Sequence, residues 1–76
     1  MKEQVRRKTT LLQKYNDLTL HRVEIIAEHP GNHERESRIA YYVVQNPLVW
    51  VRRIFKGRMA ALNFFRQEKR NMDEPE

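Results

Sequence analysis

Apolar and polar positions alternate most clearly in two stretches. Over 18–28 the chain reads Leu-Thr-Leu-His-Arg-Val-Glu-Ile-Ile-Ala-Glu. Val23, Ile25 and Ala27 alternate there against Arg22, Glu24 and Glu28, which is the period of a half-buried strand. Over 38–45, Ile39, Tyr41, Tyr42, Val43 and Val44 give the strongest β composition in the chain. Between these runs, His29-Pro30-Gly31-Asn32 puts Pro and Gly at the central positions of a type II turn. The polar stretch to Ser37 extends that turn into a loop, so a hairpin is expected. Upstream, Val5, Leu11, Leu12 and Tyr15 fall near helical spacing, although Thr9 and Thr10 are weak helix formers. A short N-terminal helix over 2–16 is the expectation.

Asn46-Pro47 divides two readings of the second half, because Asn-Pro either opens a turn or caps a helix. As a helix, Leu48, Val51, Phe55, Met59 and Leu62 form one apolar stripe, and a similar helix over 3–28 would complete an all-α three-helix bundle. As a strand, 48–55 is rich in β-branched and aromatic residues, and Lys56-Gly57 leads into a helix over 58–70. Gly57 decides for the strand. In mid-helix it costs about 1 kcal/mol against Ala, whereas at an N-cap it is well tolerated. The expected fold is α+β: an N-terminal helix, a three-stranded antiparallel sheet and a C-terminal helix.

Phe55, Gly57, Ala61 and Phe64 resemble the strand-to-helix junction of small three-strand-plus-helix domains. In those domains an aromatic ends the last strand, and Ala followed by an aromatic packs back on the sheet. The arm-type DNA-binding domains of phage integrases are similar over residues 38–66, with Gly57 standing where the family has Thr or Ser. The resemblance implies a sheet laid into a DNA major groove.

A chain of 76 residues has room for one small core, expected over 1–71, with an acidic disordered tail at 72–76. Fifteen Lys and Arg against ten Asp and Glu give a net charge of +5, which favours acidic partners. The charge is uneven: residues 48–71 carry seven bases and one acid. There is no cysteine, which suits a reducing compartment. The basic start lacks an apolar leader segment, and the longest uncharged run, 39–51, is thirteen residues, too short to span a membrane. A cytoplasmic protein without a membrane partner is expected.

Catalysis finds little support. Ser37 is the only serine and there are two glycines, which rules out a Walker-type phosphate loop. So short a chain also has little material for a water-excluding pocket. His21, His29 and His33 lie near Glu28, Glu34 and Glu36, but they straddle a turn without paired ligand spacing. No enzyme, metal or cofactor is expected.

The informative residues are aromatic and basic. With 48–55 as a strand, Phe55 faces the helix, and Trp50, Arg52 and Ile54 take the opposite face with Tyr41 and Arg22, beside Val43 and Ile26. Flat rings and guanidinium groups suit bases and phosphates. Lys56, Arg58, Arg66, Lys69 and Arg70 add a basic flank for phosphate contacts, and Lys2, Arg6, Arg7 and Lys8 a basic N-terminal arm. The expected function is a non-enzymatic accessory or regulatory protein that binds nucleic acid, DNA rather than RNA. The alternative is an adaptor or inhibitor that holds an acidic protein surface on the same face, with a homodimer as one form of it.

Overall fold

The computed structural model describes residues 4–29 and 32–74, with the side chains of 32–35 excepted. Its elements are β1 (Gln4–Tyr15), β2 (Leu18–His29), β3 (Asn32–Asn46), β4 (Val51–Phe55) and α1 (Arg58–Asp73). The strands form one antiparallel sheet in the order β1-β2-β3-β4. This overturns the expected N-terminal helix, the three-stranded sheet and the all-α bundle, because residues 4–15 are an edge strand.

The reason lies in pairing across the chain. Tyr15 and Leu18 are opposite one another, joined by Asn16-Asp17, with Asn16 at φ 50°. The favoured two-residue hairpin turns have a positive φ at their first central residue, a conformation Asn accepts readily. From that turn β1 runs in register with β2 to Gln4↔Glu28, apart from a bulge between Leu11 and Gln13. The crowded cations are then matched by the neighbouring strand: Lys8 lies opposite Glu24 and Arg6 pairs with Glu28. A lone helix over 2–16 would offer Lys8 neither of these carboxylates and would carry the β-branched Thr9 and Thr10 in its interior.

Elsewhere the boundaries move. Strand β3 begins at Asn32 rather than after a loop ending at Ser37, so the polar residues before Arg38 belong to the sheet. The expected Pro30-Gly31 turn lies outside the described residues. Leu48, Val49 and Trp50 form a turn, so the last strand starts only at Val51. The helix starts as expected, with Gly57 extended at its N-cap (φ −102°, ψ 137°). It continues past residue 71 to Asp73, and Met72 packs against the core.

The core sits at one end of the molecule. Leu18 and Leu20 from β2, Val44 from β3 and Ala61 and Phe65 from α1 are buried together, with Tyr42, Phe55 and Phe64 around them. Phe55 and Phe64 are tilted rings 5.5 Å apart, a favourable aromatic geometry. A 16-residue helix is about 24 Å long, whereas β3 with 15 residues reaches about 50 Å. The helix therefore covers half of one face, and the far half of the sheet stands bare in a molecule of 57 × 20 × 14 Å.

One contact ties the first hairpin to the last turn of the helix. The Tyr15 hydroxyl donates to the Asp73 carboxylate, and this bond, followed by partial desolvation and the carboxylate's charge, raises the Tyr15 pKa above its ordinary value of 10.0. A raised folded-state pKa means the contact stabilises fully below the unfolded pKa and is lost as pH rises through the folded value. Tyr15→Phe should therefore narrow its stability difference from the parent chain above pH 10, as followed by urea titrations from pH 7 upward.

Candidate nucleic-acid interface

Register sorts the strand residues onto two faces. Leu18, Leu20, Val44 and Phe55 point to the helix, so Arg22, Glu24 and Ile26, at the same parity of β2, share that side. Arg22 and Ile26 are thus not on the open face. Arg22 bonds Glu24 at 3.1 Å, and hydrogen bonding to Tyr42, then to Glu24, raises its pKa further. On the other face β1 brings Arg7, β2 Val23 and Ile25, β3 Tyr41, Val43 and Gln45, and β4 Arg52 and Ile54.

Trp50 is on neither face. It is the last residue of a tight turn that the sequence organises locally. Asn46 is 1% exposed; its Nδ2 donates to Glu68 Oε2 at 3.4 Å and its Oδ1 accepts from the Leu48 N–H at 3.2 Å. Pro47 fixes its own φ. The Val49 N–H donates to the Asn46 carbonyl at 3.3 Å, and the Trp50 N–H to the Pro47 carbonyl at 3.4 Å. The chain re-enters the sheet through Trp50 at φ 53°, a conformation costing an aromatic L-residue about 1–2 kcal/mol. The indole is 92% exposed, with Leu48 and Val49 exposed beside it. A glycine would hold the same turn without that cost.

Two grooves meet at Arg52. Gln45, Pro47, Trp50 and Arg52 line one of about 220 Å³, which sets an indole, a planar amide and a guanidinium around a space suited to one planar ring. Tyr41 and Arg52 line the other, of about 310 Å³, together with aliphatic side chains of the open face. Gln45 was not marked by its own sequence context. Only the Gln45↔Arg52 pairing brings it to the site.

The remaining basic residues divide. Arg53 lies over the Phe64 ring at 5.2 Å and Lys69 over the Tyr15 ring at 4.9 Å, so both help to hold the helix. Arg66 and Arg70 are exposed on α1. The Asn46–Glu68 contact places that half of the helix beside the 46–50 turn, at the same end as Trp50. Lys56 lies between β4 and the helix and Arg58 is the first residue of the helix, both at the other end of β4 from Trp50. The expected N-terminal arm is part of the sheet, with Arg6 and Lys8 on the helix side and Arg7 on the open side; Lys2 lies outside the described residues.

Among the described residues no three His, Cys, Asp or Glu side chains gather in a metal-binding arrangement; the His33 and Glu34 side chains lie outside them. No helix among the described residues is long and apolar enough to cross a membrane. No family model matches the chain, nor does any curated protein or solved structure compared with it. Nothing in these comparisons bears on the likeness of residues 38–66 to integrase arm-type domains.

Proposed function

We propose that this chain is a small, non-enzymatic accessory protein that binds single-stranded nucleic acid at the end of the sheet, stacking one unpaired base on Trp50. The observation that carries this reading is the strained, fully displayed indole in a groove shared with Arg52 and Gln45. The indole offers a π-face to any base, the Gln45 amide can bond a base edge, and Arg52 can take a phosphate or stack in turn. Arg66 and Arg70 add phosphate contacts from the helix side. Asp17, Asp73 and Glu74 sit at the same end, so few phosphates are neutralised and stacking carries a large share of the affinity. A duplex gives no such access to a base plane.

Trp50 is the single tryptophan, so its fluorescence reports the site directly. Titration with short oligo-dT, oligo-U and a duplex of equal length is expected to show quenching by both single strands and little by the duplex. The logarithm of affinity should fall with log salt at about −0.7 per phosphate contacted, for only a few contacts. Unchanged fluorescence with every oligonucleotide would overturn the reading.

A further inference from the structure

We infer that the open sheet face is a separate docking surface for a partner protein presenting aliphatic side chains bordered by carboxylates. This goes beyond the nucleic-acid reading and shares only Arg52 with the stacking groove. Val23, Ile25, Val43 and Ile54 line a groove of about 310 Å³ that crosses the strands, with Arg7 from the β1 side and Arg52 from the β4 side. Ile54 is 63% exposed and Ile39, on the same face, 49%. An aliphatic surface of this kind on a small basic protein costs solubility unless something covers it.

Charge says what covers it. The ion pairs Arg6–Glu28, Arg22–Glu24 and Arg38–Glu36 all lie on the helix-side face. On the open face, strand register places Arg7, Lys14 and Arg52 but no Asp or Glu among the described residues. Cations are thus compensated on one face and left for an incoming carboxylate on the other, the complementarity that orients protein partners. A second copy docked face to face would bring the same uncompensated cations together. Nucleic acid would find a single ring, Tyr41, and would otherwise set its phosphates against Val23, Ile25, Val43 and Ile54, which can neither stack nor hydrogen-bond. An amphipathic helix with acidic borders meets both requirements, because helices are the usual cover for an open sheet face.

The test uses methyl-labelled full-length chain and two synthetic amphipathic peptides of about 18 residues, roughly 27 Å as helices. One has Leu and Ile on its apolar face and Glu along the borders; its twin has Lys for Glu. The Glu peptide is expected to shift the Val23, Ile25, Val43 and Ile54 methyl signals, and the Lys twin to leave them in place. Ile54→Asp should abolish the effect, with an unchanged melting temperature because the side chain is already exposed. Arg7→Glu should weaken it at least about tenfold. Both variants should still bind oligo-dT through Trp50, which separates this surface from the stacking site. Unmoved methyls, an equal response to the two peptides, or methyl shifts that depend only on the chain's own concentration would overturn the proposal.

Discussion

Phe65→Ala should unfold most of the protein at ordinary temperatures. Phe65 is 4% exposed and packs with Leu18, Leu20, Val44 and Ala61, the only fully buried layer between helix and sheet among the described residues. Truncating a buried Phe costs about 3–5 kcal/mol, the lost transfer energy plus that of the cavity left behind. That is comparable to the whole stability of a domain this size. The far half of the sheet cannot compensate, since no second layer covers it. Circular dichroism should show the loss of helix and a collapse of the cooperative melt, and a melting temperature within a few degrees of the parent would place Phe65 outside the core.

Trp50→Ala should act in the opposite sense, sparing the fold and removing function. The ring is 92% exposed and the turn is held by Asn46 and Pro47, so stability should change by less than about 0.5 kcal/mol. Loss of the stacking platform should cost about 1–3 kcal/mol, or roughly fivefold to 150-fold in affinity for a single-stranded oligonucleotide, read by anisotropy of a labelled oligonucleotide. Trp50→Gly sharpens the test, because glycine relieves the strain of the positive φ. It should raise stability by about 1 kcal/mol while losing the same affinity, the signature of a residue retained for binding against the preference of the backbone. Retained affinity in both variants would separate nucleic-acid binding from Trp50 and leave it to net charge.

Trp50 marks where local pattern stops being informative. By alternation alone, 48–55 reads as one strand with Trp50, Arg52 and Ile54 on one face, and for Arg52 and Ile54 the structure agrees. The turn takes three residues more because Asn46 is buried and spends its side chain on Leu48 and Glu68, and Glu68 is 22 residues away. For β1, a basic segment with scattered apolar positions is indifferent to period, and pairing along β2, whose carboxylates match its cations, makes the extended form favourable. The Asn16-Asp17 turn was the one local sign of it.

What the sequence determined by itself is what nearest neighbours fix. The period-two alternation made β2 a strand, β-branched and aromatic density made β3 one, Asn46-Pro47 opened a turn, and Gly57 allowed a helix to begin. The orientation of Phe55 toward Ala61 and Phe65, and of Tyr41, Arg52 and Ile54 away from them, followed from the same alternation. The tertiary structure decided what depends on pairing between distant residues. It made 4–15 an edge strand, put Arg22 and Ile26 behind the sheet, set Gln45 beside Arg52, put Trp50 at the strained end of a turn and sorted compensated from uncompensated cations onto opposite faces. A strand's face is set by parity, which the sequence carries, but its neighbours are set by register, which it carries only where a turn is unmistakable.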